Sequence, residues 1–433
     1  MTTKQPFTSL ATLANELRTG KRPLLKFIDE LAAYFAQREP DVLAFVPENG
    51  RFDRLRQDAK TLLEQYPDPD KRPLLFGIPI GVKDIFHTDG FVTQAGCNLP
   101  ADVLQGKEAV SVTQLKKAGA LILGKTVTTE FAYFAPGPTR NPHNIDHTPG
   151  GSSSGSAAAV GAWLAPLTFG TQTIGSINRP AAYCGVVGYK PSYDRISRQG
   201  VIPLSKSADH IGLFAPDVTG IEMAAGVLCS HWQFGYPGRK PVFGVPEGRY
   251  LDYVSPEGRS HFRQVCKKLH DAGFAVKSVL ALTDFDHIYE RHNLIVAAEA
   301  ARFHQPWYAQ YGRLYHAKTT ELIKRGQMVS DQQLQKARAG RSKLRDELSQ
   351  LMNKNSIDIM LSPPAQGPAP LGLSGTGNPV MNLPWTHSGL PTLSLPAGFN
   401  EAGLPLGLQL TGRWYEDEAM LGWADEIAEI VNH

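Results

Sequence analysis

The stretch from Thr148 to Gly185, TPGGSSSGSAAAVGAWLAPLTFGTQTIGSINRPAAYCG, places two serines in glycine-containing turns on either side of an apolar segment. Ser152 follows a Gly-Gly pair, and Ser176 lies 24 residues later in TQTIGSINRP. A helix and a strand between the turns would return the chain and bring the two hydroxyls together. Glycine lets backbone pass closely and leaves N–H groups free to face a ligand. The pattern therefore predicts a serine nucleophile with an oxyanion-binding loop.

Three alternative roles for this stretch fit its residues less well. A flexible linker would not continue into SAAAVGAWLAPLTFG, whose alanines and branched apolar residues favour a buried helix. A phosphate-binding P-loop needs a Lys-Ser/Thr ending, which is missing, and the stretch contains no GxGxxG. The residues from Gly151 to Gly155 match GxSxG formally, but a nucleophile elbow needs a strand immediately before it. The preceding segment, TRNPHNIDHTPG, consists of turn formers instead.

Several further segments occur in a fixed order: GIPIGVKDIF, AGALILGKT, NPHNIDHTPGGSSSGSAAAV, GVVGYKPS and GLPTLSLPAGFNEAGLPLGLQLTGR. Together with the serine spacing, they resemble the amidase signature family over roughly residues 40–430. The resemblance implies a Ser-Ser-Lys triad. Ser176 matches the nucleophile, Ser152 the bridging serine that follows a cis peptide bond, and Lys83, in GVKD, the general base.

The residue types suit these implied roles. A serine hydroxyl is a poor nucleophile at neutral pH and needs a base within hydrogen-bond reach. Lysine can act as that base only if burial lowers its pKa by several units from about 10.4. Lys83 lies in an apolar, strand-like segment, which suits a buried amine. Ser152 would relay the proton between Lys83 and Ser176 and then assist protonation of the leaving amine.

The nucleophile loop departs from the commonest family text, which resembles GTDTGGSIRIPA, whereas this chain has GTQTIGSINRPA. Gln172 replaces an aspartate and Ile174 a glycine, and the arginine falls one position later, at Arg179. A β-branched residue adopts only negative φ comfortably. The loop can therefore keep the family's shape with Ile174 only if the φ angle at this position is negative. We expect Asn178 and Arg179 to tie the loop down by hydrogen bonds rather than to touch substrate. The oxyanion donors implied by the resemblance are the backbone N–H groups of Thr173, Ile174, Gly175 and Ser176.

Aromatic residues in TTEFAYFAPG (128–137) and NPVMNLPWTH (378–387) are expected to line the acyl pocket. Their density fits an apolar or aryl acyl group, although core packing explains aromatic residues equally well. Ser153 is a further candidate, which would position the proton relay. The candidate substrate contacts are therefore Phe131, Tyr133, Phe134, Ser153, Trp385 and His387.

Composition narrows the class of protein. The 433 residues are 42% hydrophobic and 20% charged, which is typical of a globular chain with a sizeable core. A net charge of +3 gives no electrostatic case for nucleic acid or an anionic membrane as partner. The four cysteines form no CxxC pair, and His143 and His147 lie in a proline-containing turn, so we predict no metal and no cofactor. The N-terminus lacks a signal peptide's apolar core, and no membrane-spanning run is present, so we expect a cytoplasmic protein.

Alternating helix and strand patterns, without a long linker, predict one α/β domain over residues 1–433. We expect a twisted mixed β-sheet covered by helices on both faces. Residues 1–70 would form a helical segment packed on it, 74–200 the catalytic core and 285–353 a mainly helical segment. Residues 41–46, DVLAFV, are predicted as a short strand.

The expected function is hydrolysis of the C–N bond of a small carboxamide, through an acyl-enzyme on Ser176. Two alternatives belong to the same family: a ureido-compound hydrolase and a glutamine-hydrolysing amidotransferase A-type subunit, for which the chain is short. A catalytically silent binding homologue would be expected to lose Lys83, Ser152 or Ser176, yet all three are present. The expected partner is a small amide substrate, and a homodimer is a further expectation from the resemblance.

Overall fold

Strands and helices alternate through most of the chain in the computed structural model, which describes residues 5–235 and 237–432. Its strands are β1 (Pro79–Lys83), β2 (Leu121–Thr126), β3 (Leu167–Gln172), β4 (Val187–Lys190), β5 (His210–Ala215), β6 (Val242–Glu247), β7 (Ala275–Leu280), β8 (Ile359–Ser362), β9 (Thr392–Phe399) and β10 (Pro405–Thr411). Its α-helices are α1 (Leu10–Arg18), α2 (Leu24–Val42), α3 (Arg51–Gln65), α4 (Val110–Lys117), α5 (Ser154–Gly161), α6 (Asn178–Cys184), α7 (Val218–Leu228), α8 (Pro256–Asp271), α9 (Phe285–Tyr311), α10 (Ala317–Gln327), α11 (Asp331–Lys354), α12 (Leu383–Ser388) and α13 (Asp417–Asn432).

The described strands form one sheet of ten, in the order β2-β1-β3-β5-β4-β9-β10-β8-β6-β7. Strands β2, β1 and β3 run parallel at one end, and β7, β6 and β8 run parallel at the other. The pairings between these two groups are antiparallel. The sheet is therefore mixed and flanked by helices, which confirms the predicted single α/β domain.

Strands β1 and β3 position the candidate site. Every residue of both strands is buried, which is usual for parallel strands covered on both faces. They pair in parallel, with Val82 opposite Phe169, so their carboxyl ends meet at one edge of the sheet. Lys83 ends β1 at that edge, and the turn that carries Ser176 follows β3.

Helix α5 lies unusually close to the chain beneath it because its sequence, SGSAAAVG, contains only small side chains and one valine. A Cβ atom at Gly155 would lie 2.2 Å from the carbonyl oxygen of Ala44 and 2.4 Å from the backbone nitrogen of Val127. This close approach requires glycine. It places the residues just before α5, Ser152 and Ser153, against the end of β1.

The predicted strand at 41–46 is wrong. Helix α2 continues through Pro40 to Val42 and ends at Leu43, whose φ of 54° is left-handed. The next two backbone N–H groups, of Ala44 and Phe45, donate to the carboxylate of Glu39 rather than to a neighbouring strand. Phe45 makes only an isolated bridge with Thr126.

No helix in residues 5–235 or 237–432 has both the length and the apolar content needed to cross a membrane.

Candidate active site

Lys83 is fully buried and contacts three hydroxyl groups. Its Nζ lies 2.7 Å from Ser152 Oγ, 3.0 Å from Ser153 Oγ and 2.8 Å from Thr171 Oγ1. Burial holds the pKa of Lys83 well below its usual value, and the negative charge of Asp209 opposes this shift only in part. The environment therefore favours the neutral amine, the form that can accept a proton.

The hydroxyl groups of Ser153 and Ser152 differ in whether a backbone carbonyl accepts their proton. Ser153 Oγ donates to the carbonyl oxygen of Thr171 over 3.1 Å and accepts the Thr171 backbone N–H over 3.2 Å. Its proton is thus committed to the backbone of β3, so Ser153 orients the amine instead of exchanging protons with it. Ser152 has no such backbone acceptor among the described residues, which leaves its hydroxyl proton available to Lys83.

Ser152 also contacts Ser176 directly. The backbone N–H of Ser152 donates to Ser176 Oγ over 3.1 Å. Gly150 and Gly151 have φ values of 80° and 63°, in the left-handed region that glycine tolerates. A Cβ at Gly151 would lie 2.7 Å from the ring of Pro180 and 3.2 Å from Ser176 Cα, so the Gly-Gly pair permits this approach. The cis bond implied before Ser152 is not found, since the peptide bonds of the described residues are all trans.

Side chains on α9 and α12 donate hydrogen bonds to two carbonyl groups of the nucleophile loop. His292 Nε2 donates to the carbonyl oxygen of Thr173 over 2.8 Å, and Thr386 Oγ1 donates to that of Ile174 over 2.7 Å. The N–H of a trans peptide points opposite to its carbonyl. The N–H groups of Ile174 and Gly175 therefore face away from these helices, and no hydrogen-bond acceptor takes either of them among the described residues.

The two substitutions in the loop are accommodated. Gln172 Oε1 accepts the backbone N–H groups of Ile177 and Asn178 over 2.8 and 3.0 Å, as a carboxylate could, and its Nε2 donates to Thr386 over 2.9 Å. Ile174 does not have a positive φ, and its side chain belongs to a buried apolar cluster with Leu383. A glycine is required at the next position instead, because a Cβ at Gly175 would lie 2.3 Å from Asn382 Oδ1.

Asn178 and Arg179 contribute differently to the loop. Asn178 Oδ1 accepts a hydrogen bond from Thr392 over 2.9 Å, and the backbone N–H of Arg179 donates to the carbonyl of Gly175 over 3.2 Å. Both residues thus tie the loop down. The side chain of Arg179, however, also lines the cavity beside Ser176.

A cavity of about 10 Å³ surrounds Ser176. Ser152 and all four predicted oxyanion residues line it, together with Tyr133 and Phe134. A second cavity, of about 510 Å³, shares Ala132, Thr173 and Leu204 with it. The reacting group would therefore sit in a tight space that adjoins a larger one.

Three of the predicted substrate contacts lie elsewhere in the core. Phe131, with a positive φ of 47°, packs against His304, with the ring centres 4.4 Å apart. Trp385 is fully buried and donates from Nε1 to Tyr250 Oη over 3.0 Å. His387 Nδ1 lies 3.2 Å from Nδ1 of His292, so it stands behind the nucleophile loop.

Sequence reasoning missed four supporting residues: Thr171, Asp209, His292 and Thr386. Thr173 Oγ1 donates to Asp209 Oδ1 over 2.6 Å, and burial raises the pKa of Asp209 to about 6. Thr171 and Thr386 lie inside segments that the sequence singles out, but a threonine there carries no signal of its partner. His292 lies outside those segments, on a helix 119 residues beyond Thr173. Within the described residues, no three His, Cys, Asp or Glu side chains are grouped so as to hold a metal ion.

Known proteins resemble this chain along almost all of its length. A family profile described as Amidase matches residues 49–421. The A-type subunit of the glutamyl-tRNA(Gln) amidotransferase of Roseiflexus sp. (strain RS-1) is 30% identical, covering 98% of this chain and 96% of its own. A crystal structure of an amidase is 31% identical, with a TM-score of 0.86, covering 97% of this chain and 99% of that one. Native peptide amidase from Stenotrophomonas maltophilia shares the fold, with a TM-score of 0.84 at 24% identity, covering 98% of this chain and 97% of its own.

The chain belongs to the amidase family, whose enzymes are hydrolases acting on C–N amide bonds. The match to the Roseiflexus protein extends over 476 aligned positions and covers 96% of that protein.

Proposed function

We propose that this amidase hydrolyses a small carboxamide through an acyl-enzyme on Ser176, with Ser152 as proton relay and Lys83 as general base. The observation that carries the proposal is the buried Lys83 amine at 2.7 Å from Ser152 Oγ, with the Ser152 backbone bonded to Ser176 Oγ. No cofactor is required for this chemistry.

In the first half-reaction, Ser176 Oγ forms a bond to the amide carbon. Its proton passes to Ser152 Oγ as the Ser152 proton passes to the neutral amine of Lys83. The resulting ammonium returns a proton through Ser152 to the leaving nitrogen, and the C–N bond breaks to release ammonia or an amine. Water then attacks the acyl-enzyme by the same proton path, which releases the carboxylate and restores the Ser176 hydroxyl.

The developing oxyanion is stabilised by backbone N–H groups of the nucleophile loop, chiefly those of Ile174 and Gly175. The carbonyls of the same two peptide groups are already held by His292 and Thr386, so the donors need little reorganisation during the reaction. A single preorganised donor of this kind contributes about 3 kcal/mol to transition-state stabilisation.

A fluorophosphonate probe tests the nucleophile. The wild-type protein should be labelled, and Ser176→Ala should not be. Ser154→Ala is a matched control from the same segment, because Ser154 Oγ is buried without a hydrogen-bond partner among the described residues. It should be labelled like the wild type. Absent labelling of folded wild-type protein, or labelling that survives in Ser176→Ala, would contradict the proposal.

A glutamine-hydrolysing role is the second candidate, favoured by the 30% identity to the Roseiflexus amidotransferase protein over 98% of this chain. Such an enzyme releases ammonia from the side chain of free glutamine. Incubation of the purified chain with glutamine and with simple amides, with ammonia measured, separates the two candidates. Ammonia release from glutamine alone would favour the amidotransferase role.

A further inference from the structure

Ile174 lies between the cavity of the nucleophile and a surface groove. The groove has a volume of about 310 Å³ and is lined by residues of α9, of α12 and of the segment 377–379. Three of its residues, Phe134, Ile174 and Pro379, also line the cavity beside Ser176. These three residues therefore form the wall between the two spaces.

The cavity at the nucleophile is too small to hold a whole substrate. Its volume is about 10 Å³, close to the least that a single water molecule needs. It therefore has room for little more than the reacting atoms of an amide. The acyl group and the amine of a substrate must extend into the adjoining spaces.

The larger cavity, of about 510 Å³, lies on the side of the general base. It is lined by Thr171, whose Oγ1 is 2.8 Å from Lys83 Nζ. In the proposed mechanism the leaving nitrogen receives its proton from Lys83 through Ser152, so the amine belongs on this side. Among the described residues that line the groove, none contacts Lys83. The groove therefore belongs to the acyl side of the reacting bond.

A further groove, of about 340 Å³, adjoins the cavity through Tyr133 and Phe134. Its lining includes the charged side chains of Lys318, Glu321 and Arg325. An apolar acyl chain gains little from such a surface, so the groove beside Ile174 suits this chain better.

The backbone at Ile174 is held in place on both sides. Thr386 Oγ1 donates to the Ile174 carbonyl oxygen over 2.7 Å, and His292 Nε2 donates to that of Thr173 over 2.8 Å. The next residue, Gly175, is packed so tightly that an added Cβ would lie 2.3 Å from a neighbouring side-chain oxygen. The direction of the Ile174 side chain is therefore fixed.

The side chain of Ile174 is itself restricted. A β-branched side chain has few accessible rotamers, and Ile174 is 6% exposed in an apolar cluster with Leu383, which also lines the groove. Phe134, in contrast, is only half-buried and packs on Tyr133. Ile174 is thus a rigid part of the wall between the cavity and the groove.

We propose that Ile174 limits the acyl part of the substrate to short chains, because it closes the nucleophile cavity toward the groove. The inference rests on the proposed function, since it places the scissile amide at Ser176. It favours a small carboxamide over glutamine, whose acyl part is a chain of five carbons.

Propionamide and hexanamide test the proposal, because both release ammonia and they differ by three methylene groups. The wild type should prefer propionamide by at least about tenfold in kcat/KM, since even one methylene without space costs this much. Ile174→Ala should reduce the ratio to about 1. Ile174→Gly, which opens the wall fully, should reverse the preference by about tenfold.

Ile202→Ala is the matched control. Ile202 is also buried, but it lines the larger cavity and neither the nucleophile cavity nor the groove. Its removal should change the ratio by less than about threefold, because the two amides have the same leaving group. A wild-type ratio near 1, or an equal loss of activity on both amides in the Ile174 variants, would overturn the inference.

Two alkyl fluorophosphonates separate this inference from the mechanism, because the alkyl group on phosphorus takes the place of the acyl chain. Relative to an ethyl probe, an octyl probe should label Ile174→Ala at least about tenfold faster than it labels the wild type. If both probes label Ser176 and their ratio is the same in the two proteins, the inference alone is overturned. If neither probe labels Ser176 in folded protein, the proposed function fails and the inference fails with it.

Discussion

At the scale of single residues, Lys83 illustrates how burial favours the neutral form of a side chain that is usually a cation. The side chain is fully buried, and its three contacts are hydroxyl oxygens instead of carboxylates. No ion pair with a described residue offsets the loss of hydration, and the charge of Asp209 opposes the shift only in part, so the pKa falls well below its usual value. The amine is available as a base because its charged form is disfavoured in the folded state.

Lys83→Met should lower kcat by about a thousandfold, the usual contribution of a general base. It should also change how stability depends on pH. In the wild type, Lys83 has a lowered pKa in the folded state and the ordinary pKa near 10.5 in the unfolded state. At pH values between these two pKa values the folded state binds fewer protons than the unfolded state, so the free energy of unfolding rises with pH. The variant lacks this rise.

Urea unfolding of both proteins between about pH 6 and about pH 10 measures the effect. The free energy of unfolding of Lys83→Met, relative to the wild type, should be greatest at the acidic end and fall as pH increases. A difference that does not change with pH would mean that the Lys83 pKa is not lowered in the folded protein.

At the scale of elements, helix α12 supports the nucleophile loop from behind. Thr386 donates to the carbonyl of Ile174 and accepts the side-chain amide of Gln172, so one hydroxyl fixes two parts of the loop. His292 on α9 holds the adjacent carbonyl. The loop is thus shaped by helices that contribute no reacting atom.

Thr386→Val should lower kcat by about 10- to 100-fold with little change in KM, because the Gly175 N–H would lose its fixed direction toward the oxyanion. Steady-state kinetics on one amide, with the rate of fluorophosphonate labelling, measure this loss. Thr411→Val is the control, since Thr411 Oγ1 is also buried but lacks a partner among the described residues. Equal effects of both changes, or a rise in KM alone, would argue against a positioning role.

At the scale of the whole molecule, strands β1–β5 and β6–β10 occupy opposite ends of the sheet and join where β4 pairs with β9. The C-terminal helix α13 secures this joint. Its first residue, Asp417, is fully buried and accepts hydrogen bonds from Tyr189 Oη and Ser192 Oγ, each over 2.7 Å. Arg195 completes the contact as an ion pair.

Asp417→Ala should reduce the free energy of unfolding by about 3–5 kcal/mol, because the buried hydroxyls of Tyr189 and Ser192 lose their acceptor, at about 1–3 kcal/mol each, and Arg195 keeps only its contact with Glu418. Glu429→Ala, on the exposed face of the same helix, should change it by less than about 0.5 kcal/mol. Denaturant titration gives both values. A small effect of Asp417→Ala would show that the joint is held by strand pairing alone.

The sequence singled out the residues of the proposed triad, but not most of the residues that support them. Ser152, Ser176 and Lys83 lie in turns and a strand whose composition is distinctive, and the structure brings them together. Thr386 and Gln172 are 214 residues apart, so local patterns carry no signal of their contact. Trp385 and His387 were expected in the acyl pocket because their segment is rich in aromatic residues. Both lie in the core instead, since aromatic density alone does not distinguish a pocket from a core. Helix α2 continues past Pro40 to Val42, and the Glu39 carboxylate accepts the N–H groups of Ala44 and Phe45 beyond its end, so these residues do not pair as the predicted strand.

The order in which the chain supplies these parts has a consequence for its synthesis. A nascent polypeptide holds Lys83, Ser152 and Ser176 before it holds the donors from α9 and α12, which follow them in the chain. Until the α12 segment emerges, the Ile174 carbonyl lacks its partner and the anion-binding amides have no fixed direction. We therefore expect hydrolytic competence only after α12 has been translated, and products that end before α12 would lack these donors although they contain Lys83, Ser152 and Ser176.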